Sequence, residues 1–288
     1  MTSIFSSRCA CGGREADLLY AGGAFRVLEC RGCGLKRTDP PPAARAPYEG
    51  TDRAREYVRV YREAAEEYRF HAATVVDEIA RHVRPGRLLD VGCNIGTMMQ
   101  VAMERGFEPT GVEVNPEAVA AARADGLAVR QSTLEEAGFA DAEFAAVIIN
   151  HTLEHVPDPG AMLREARRVL RPGGALAVGV PAIDGVLAAV RRERWFGLQP
   201  QEHFWHFEPR TLRATIAAAG FDVEEIVRAP AYLARGRGAG GRARALLRNG
   251  AHRAIRWLAA GDNQIAVAHR PGGTDRCPPN GRPSRPAA

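Results

Sequence analysis

The sequence predicts an α/β fold in which helices cover both faces of a largely parallel sheet, preceded by a small metal-binding module. Between residues 85 and 270, short apolar segments alternate with helical ones, as in a parallel sheet with crossover helices. Near the start of the chain, four cysteines form two closely spaced pairs. Such pairs are typical of a tetrahedral metal site in a protein without disulfides.

The composition fits an ordinary globular protein. The chain has 288 residues, 45% hydrophobic and 25% charged, which excludes a disordered, collagenous or coiled-coil chain. The net charge of +5 is weak support for a nucleic-acid partner, because such partners are recognised through clustered basic patches. The first residues show no basic segment followed by an apolar run, so we expect a cytoplasmic protein.

Each element is placed by its hydrophobic pattern and its end signals. A helix over 52–83 carries a stripe of tyrosines, which we interpret as core packing rather than as part of a binding site. Between Pro181 and Glu208 we predict no regular element. The predicted strands are 87–91, 109–114, 127–130, 144–150, 175–180, 222–227 and 264–269, and the helices among them are 97–105, 116–124, 159–170 and 209–219.

A glycine-containing turn ends the first strand of this series and begins a helix, where α/β sheets bind ligands. A dinucleotide fingerprint would need glycine where Asn94 and Thr97 stand, and the turn has no lysine for a P-loop. Glu113 ends the second strand about twenty residues later, where a carboxylate can accept both hydroxyls of a ribose. A nucleoside without a pyrophosphate satisfies this pattern, and S-adenosylmethionine is the obvious candidate.

Five segments in order resemble the successive motifs of class I S-adenosylmethionine-dependent methyltransferases. The similarity covers residues 85–270 and implies a Rossmann-like sheet of seven strands, the last one antiparallel. Asn94 stands where the family usually has a third glycine; because asparagine tolerates left-handed geometry, we expect an altered turn and a retained site. The five segments are the turn at 90–96, Glu113, 153–159, 169–174, and 203–207 with Leu212 and 219–221.

The resemblance also implies which residues contact the cofactor. The methionine end would be held at the turn, the ribose by the acidic residue of the second strand, and the adenine by residues after the third strand. The implied residues are Asp90, Gly92, Asn94 and Gly96 for the methionine end, Glu113 for the ribose, Ser132, Thr133 and Leu134 for the adenine, and Asn150 with His151 for the methyl-donor end.

Methyl transfer from a sulfonium needs little beyond an in-line nucleophile, because the donor is already activated and positioning supplies much of the acceleration. An acceptor of high pKa also needs a general base, for which histidine is suited near neutral pH. We predict that one of His151, His155 and His203 is this base, with Glu154 or Glu202 as its partner. For His155 a structural role, bracing the following loop, is the alternative.

The cysteines near the start of the chain predict a structural zinc site. Cys9 and Cys11 are separated by one residue, Cys30 and Cys33 by two, and 18 residues lie between the pairs. Four thiolates around Zn²⁺ leave no open position for catalysis. A segment of this size cannot build its own core, whereas a structural zinc supplies about 10–16 kcal/mol of apparent binding energy.

A zinc module before a methyltransferase domain resembles two groups of enzymes. The first acts on sugars, polysaccharides or natural-product intermediates, and the second on ribosomal RNA. The run from Cys33 to Leu35 with the prolines after it is more similar to the first group, so we predict a small-molecule acceptor, with RNA as the alternative. A non-enzymatic scaffold would follow if Asn94 abolished cofactor binding.

Two further segments complete the predicted layout. The stretch 235–258 mixes arginines with apolar residues; it fits either an insertion folded onto the sheet, which we favour, or a contact with RNA or a membrane surface. The tail, which contains Cys277, has no periodicity. The layout is a zinc-binding module (1–42), a helical connector (43–84), a methyltransferase domain (85–270) and a disordered tail (271–288).

Overall fold

The computed structural model describes residues 2–4, 9–42, 51–229 and 261–272, which form two sheets with helices around them. The helices are α1 (Thr51–Glu63), α2 (Ala65–Ile79), α3 (Thr97–Glu104), α4 (Pro116–Ala124), α5 (Pro159–Val169), α6 (Val186–Arg191) and α7 (Pro209–Ala218). The strands are β1 (Thr2–Ile4), β2 (Glu15–Gly22), β3 (Phe25–Cys30), β4 (Lys36–Asp39), β5 (Arg87–Val91), β6 (Glu108–Glu113), β7 (Val129–Gln131), β8 (Phe144–Asn150), β9 (Leu170–Pro181), β10 (Trp205–His206), β11 (Asp222–Ala229) and β12 (Asn263–His269).

The central sheet has seven strands in the order β11-β12-β9-β8-β5-β6-β7. Strands β5 to β9 pair in parallel, and β12 runs antiparallel to both β9 and β11. The predicted seven-stranded sheet with an antiparallel last strand is therefore confirmed. Because the chain proceeds from β5 to β6 on one side and to β8 on the other, a crevice opens at the carboxyl end of β5.

Alternate residues of the central strands pack against helices on opposite faces. Leu88 and Ile148 contact the cluster formed by α2 and α3, whereas Val147 and Ile149 belong to the cluster that includes α5 and α7. All but the last residue of β8 are buried. Burial on both faces explains why this strand is a continuous apolar run rather than an alternating one.

The predicted single helix over 52–83 is wrong: the structure has two helices, broken at Ala64 with φ −106° and ψ 27°. The two helices have different neighbours. Val58 and Tyr61 of α1 pack against the cluster of α4, whereas Val75 of α2 packs on the central sheet. No glycine or proline marks the break, so the change of direction is set by these tertiary contacts.

The N-terminal sheet has the order β1-β2-β3-β4-β10. Its last strand comes from the segment for which no regular element was predicted, which also contains α6. Trp205 and His206 pair with Arg37 and Lys36, and the indole N–H of Trp205 donates to the carbonyl oxygen of Val156 at 2.9 Å. Buried residues of both sheets therefore belong to one continuous apolar cluster.

Helices long and apolar enough to span a bilayer do not occur in the described ranges. The basic stretch 235–258 and most of the tail, with Cys277, lie outside the described residues.

Candidate cofactor and active site

The turn after β5 adopts the left-handed geometry that its sequence requires. Gly92, Asn94 and Gly96 have φ values of 75°, 51° and 82°. A Cβ on Gly92 would lie 2.4 Å from the hydroxyl of Thr152, and one on Gly96 would lie 2.1 Å from a methyl group of Leu127. The expected altered turn at Asn94 is thus a left-handed residue, whose own side-chain oxygen accepts from the next backbone N–H at 2.7 Å.

Glu113 is held by the backbone at the end of β6. One carboxylate oxygen accepts from the backbone N–H of Asn94 at 2.9 Å, and the other accepts from those of Val114 and Asn115 at 2.8 Å each. Burial raises the pKa of this carboxyl, and the three backbone bonds oppose the shift. The bonds fix the carboxylate at the cavity wall, where its remaining lone pairs can accept hydroxyl donors.

Asp90 is a buried acid, and no cation pairs with it among the described residues. It is 2% exposed, and among the described residues its Oδ2 has no hydrogen-bond partner. Burial and the nearby charge of Glu113 raise its pKa to about 7. An orphaned buried acceptor of this kind is costly unless a ligand satisfies it, so Asp90 fits the ammonium group of an amino-acid ligand.

A cavity of about 370 Å³ opens beside this turn. It extends from Glu113 past the turn to the segment after β8 and is closed on the far side by α1. Most of the implied cofactor residues line this cavity, whereas Asp90 and Gly96 do not. The lining includes Tyr57, Tyr61, Gly92, Asn94, Glu113, Ser132, Thr133, Leu134, Asn150, His151, His155, Pro157, Met162 and Phe204.

The tyrosine stripe was interpreted as core packing, but Tyr57 and Tyr61 lie on the cavity wall. Tyr61 stacks on Tyr68 with ring centroids 3.9 Å apart, and both line a smaller recess over Asp90. Sequence reasoning missed these residues because their helical spacing is the same for a core face and for a lid. One signal in the sequence could have indicated a binding site. The stripe consists of tyrosines, which carry a hydroxyl, whereas a core would carry aliphatic residues.

The residues implied for the adenine follow β7. Thr133 and Leu134 line the cavity, and the buried hydroxyl of Ser132 has no partner among the described residues. On the other side of the cavity, the side-chain oxygen of Asn150 lies 3.1 Å from Nε2 of His71. His71 comes from α2 and was not predicted.

Two of the three candidate bases reach the cavity. His151 and His155 line it, and Nδ1 of His151 lies 3.2 Å from Oε1 of Glu154. Burial alone would raise the pKa of Glu154, which is 1% exposed, but the hydrogen bond with His151 and the neighbouring imidazoles lower it to about 2. Glu154 is therefore an ionised carboxylate that orients the His151 ring.

His203 lies behind the cavity wall. It is 2% exposed, its Nδ1 lies 2.9 Å from the carbonyl oxygen of Gly197, and its ring meets that of His155 edge-on at 4.5 Å. Burial and the adjacent imidazole of His155 lower its pKa to about 3. This geometry supports a bracing role for His203 rather than contact with a substrate.

The four cysteines near the start of the chain converge. The sulfur atoms of Cys9 and Cys33 are 3.7 Å apart, those of Cys11 and Cys30 are 3.6 Å apart, and all four lie within 4.8 Å of one another. Sulfurs bound tetrahedrally at about 2.3 Å from Zn²⁺ are about 3.8 Å apart. Burial raises the pKa of the Cys33 thiol to about 11, so a nearby cation would favour its ionisation near neutral pH.

Comparisons with known proteins agree with this geometry. Residues 61–226, more than half of the chain, match the family described as "Methyltransferase domain". The chain belongs to this family. A ubiquinone biosynthesis O-methyltransferase of Xanthomonas oryzae is 34% identical over 154 residues, which cover 49% of this chain and 64% of that protein. The match thus spans less than two thirds of that relative.

Solved structures share the fold. A SAM-dependent methyltransferase of Thermotoga maritima has a TM-score of 0.54 at 21% identity and covers 75% of this chain and 96% of its own. The 1,6-didemethyltoxoflavin-N1-methyltransferase of Burkholderia thailandensis has a TM-score of 0.53 at 19% identity and covers 89% of this chain and 100% of its own. At these sequence identities, the structural similarity shows only that this member of the methyltransferase family shares their fold.

Proposed function

We propose that this protein transfers a methyl group from S-adenosylmethionine to a hydroxyl oxygen of a small, largely apolar acceptor. The observation that carries the proposal is the single cavity that joins Glu113 and the turn after β5 to the His151–Glu154 pair. The relative from Xanthomonas, named an O-methyltransferase, supports oxygen as the methylated atom.

The residues around the cavity fit the cofactor at both of its polar ends. S-adenosylmethionine, when bound, supplies a methyl group already activated on a sulfonium. We assign Asp90 to its ammonium group, because a buried carboxylate without a partner needs a cation. Glu113 accepts the ribose hydroxyls, and Thr133 with Leu134 flanks the adenine. Asn150 lies toward the methyl-donor end.

His151 is the proposed base. Its Nδ1–H donates to the ionised Glu154, which fixes the tautomer whose Nε2 can accept the proton of the acceptor hydroxyl. A second histidine, His155, lines the cavity nearby, and His203 braces its ring from behind. We therefore assign His155 to acceptor binding and His203 to positioning.

We place the acceptor beside Tyr57, Pro157, Met162 and Phe204, whose apolar surfaces line the cavity together with the polar side chains of Arg53 and Glu202. Such a wall suits a partly apolar molecule better than a fully hydroxylated one. Among the predicted acceptors, this observation favours a natural-product intermediate over a sugar or polysaccharide.

We further propose that Cys9, Cys11, Cys30 and Cys33 hold one structural Zn²⁺. The thiol separations match a four-thiolate site, and no fifth position is needed for its role. The ion would hold the turn before β2 to the turn after β3, since each turn supplies one pair of cysteines.

The test is methyl transfer from labelled S-adenosylmethionine to a panel of hydroxylated natural-product intermediates, nucleotide sugars and ribosomal RNA. We expect transfer to the first class, and His151→Gln to lower kcat about 10²- to 10⁴-fold while calorimetry still detects cofactor binding. Glu108→Gln, an exposed change at the start of β6, serves as the control. Transfer to RNA alone, or wild-type protein that binds no cofactor, would contradict the proposal.

A further inference from the structure

A second cluster of potential metal ligands lies at the end of the central sheet opposite the cofactor cavity. It contains His82, which follows α2, Glu224 of β11 and His269, the last residue of β12. His269 pairs with Ala175, which in turn pairs with Ala146 near the start of β8. The cavity is at the carboxyl ends of the parallel strands, so the two sites are separated by the length of the sheet.

Glu224 bridges the two histidines. Its Oε2 lies 2.9 Å from Nε2 of His269 and 3.4 Å from Nδ1 of His82. All three ligand atoms lie within 4.8 Å of one another. Nitrogen and oxygen ligands at about 2.0–2.1 Å from a tetrahedral metal ion are about 3.4 Å apart, so small movements of these side chains would place all three around one ion.

The other nitrogen of each ring faces an acceptor. Nε2 of His82 lies 2.9 Å from Oε1 of Glu225, and Nδ1 of His269 lies 3.4 Å from the carbonyl oxygen of Gly173. Histidines that bind metals almost always donate their second N–H to a carboxylate or a backbone carbonyl. When each ring donates its N–H to these acceptors, the nitrogens that face Glu224 are left with lone pairs for a metal ion. Without an ion, the 2.9 Å contact between Nε2 of His269 and Oε2 of Glu224 is short enough for a hydrogen bond donated by the ring.

Charge and burial favour a cation between these atoms. His82 and His269 are 7% and 1% exposed, and both rings lie against the Glu224 carboxylate, which supplies negative charge. Glu78 is buried beside His82 but is paired with Arg81 at 2.6 Å. Glu224 and Glu225 are the carboxylates that remain to balance a dication.

We propose that His82, Glu224 and His269 bind a divalent metal ion that prefers imidazole, such as Zn²⁺, with water in the remaining position. Imidazole and carboxylate ligands together suit Zn²⁺, Ni²⁺ and Cu²⁺ rather than Mg²⁺ or Ca²⁺. The ion would tie the end of α2 to the two strands at the edge of the central sheet.

The test is a Co²⁺ titration of the full-length reduced protein after removal of bound metal. Co²⁺ bound by thiolates shows sulfur-to-metal charge-transfer absorption, whereas Co²⁺ bound by histidine and glutamate does not. We expect two equivalents in the wild type, one with this absorption and one without. If the cysteine site were not a metal site, the equivalent without charge transfer would still appear, so the two proposals fail separately.

Variants locate the second equivalent. Glu224→Gln removes it and leaves the thiolate equivalent, whereas Asp222→Asn, an exposed change on the same strand, retains both. Glu225→Ala removes the acceptor for the His82 ring and weakens the second equivalent about 10- to 100-fold. The proposal would be overturned if the wild-type protein bound no Co²⁺ beyond the thiolate equivalent. It would also be overturned if Glu224→Gln and Asp222→Asn bound the second equivalent of Co²⁺ with equal affinity. The wild-type stoichiometry decides if Glu224→Gln does not fold.

Discussion

The central sheet buries apolar strands between two layers of helices, whereas the N-terminal sheet buries polar side chains beside a cluster of thiols. In β8, six of seven residues are buried and most are aliphatic. In β4, all four residues, Lys36, Arg37, Thr38 and Asp39, are polar or charged and are also buried. The first arrangement draws its stability from the hydrophobic effect, and the second depends on pairing every buried polar group.

The partners of β4 show how this second arrangement is connected. Lys36 pairs with Glu208 at 2.5 Å, and the Arg37 guanidinium lies over the Trp205 ring at 5.3 Å. Both partners come from the segment after α6, not from the N-terminal module itself. The N-terminal sheet is therefore built onto the larger domain, and its geometry reaches the active site.

Two backbone hydrogen bonds connect the N-terminal sheet to the active site. The backbone N–H of Thr38 donates to the carbonyl oxygen of Phe204 at 3.1 Å. The backbone N–H of Phe204 donates to the carbonyl oxygen of Glu154 at 2.8 Å. Glu154 in turn orients His151. The proposed zinc in the N-terminal sheet would therefore act on His151 only through the positions of these backbone segments.

Loss of the proposed zinc should cause the largest change in protease sensitivity and methyl transfer. Cys11→Ser changes an exposed ligand, and we expect the strands around the cysteines to become sensitive to protease, because the site contributes about 10–16 kcal/mol of apparent binding energy. The central sheet should stay folded, since its cores are apolar, while methyl transfer falls. Limited proteolysis with mass spectrometry and a transfer assay measure both effects.

Cys277→Ser makes the same chemical change in the tail and serves as the control. The N-terminal sheet would not depend on the cysteines if the Cys11→Ser protein were as resistant to protease as the control. The same conclusion would follow if resistance were unchanged after a chelator had removed the metal.

The second prediction concerns the apolar core of the central sheet. Ile148 is fully buried in β8, and Ile148→Ala should lower the free energy of unfolding by about 2–5 kcal/mol through lost burial and a residual cavity. Leu18 of β2 is 49% exposed, so Leu18→Ala should change it by less than about 1 kcal/mol. Urea unfolding measures both, and equal losses would contradict the contrast between the sheets.

The sequence predicted the central sheet well because its signals are local. Apolar strands and end signals such as Pro116 and Gly173 set the limits of most elements. The break at Ala64 and the pairing of β10 with β4 left no such signal, since both depend on neighbours distant in the chain. A two-residue strand at Trp205 and His206 is defined by its partner rather than by its own pattern.

The candidate site divides in the same way. Glu113, Asn94 and the cysteines are recognisable from spacing, because each acts at a strand end or a tight turn. Tyr57, which lines the cavity, and His71, which lines the smaller recess over Asp90, are not recognisable in this way, because they reach the site only through the placement of α1 and α2. The burial of His203 likewise depends on tertiary packing, which cannot be read from the sequence of residues 203–207.

A smaller loss of stability is expected from a buried polar contact between β4 and β10, the last two strands of the N-terminal sheet. The hydroxyl of Thr38 lies 3.0 Å from Nε2 of His206, and both side chains are buried. Thr38→Val keeps the shape and removes the hydroxyl, so a buried imidazole nitrogen loses its partner, at a cost of about 1–3 kcal/mol. Urea unfolding measures the loss.

The matched control is Thr215→Val, whose hydroxyl donates within α7 to the carbonyl of Thr211 at 2.8 Å. That bond joins neighbouring turns of one helix and leaves no buried imidazole behind. If Thr38→Val were no more destabilising than Thr215→Val, the polar contact would not stabilise the pairing of β4 with β10.

The last prediction compares two buried aspartates, one in each sheet. Asp39 of β4 is paired with Arg26, whereas the Oδ2 of Asp90 in β5 has no partner among the described residues. Burial, followed by the charge of Glu113, raises the pKa of Asp90 to about 7. Below that pH the carboxyl is neutral and cannot pair with an ammonium group, so cofactor affinity should fall as the pH falls.

Calorimetry with S-adenosylhomocysteine, which carries the same ammonium group, should show a loss of up to about tenfold per pH unit below pH 7, equivalent to about 1.4 kcal/mol. Asp90→Asn should bind more weakly at pH 7 and show no such slope, while Asp125→Asn, an exposed change at the end of α4, should follow the wild type. A slope that persists in Asp90→Asn would assign the titration to another group. The buried, unpaired acid would then not be the contact for the ammonium group.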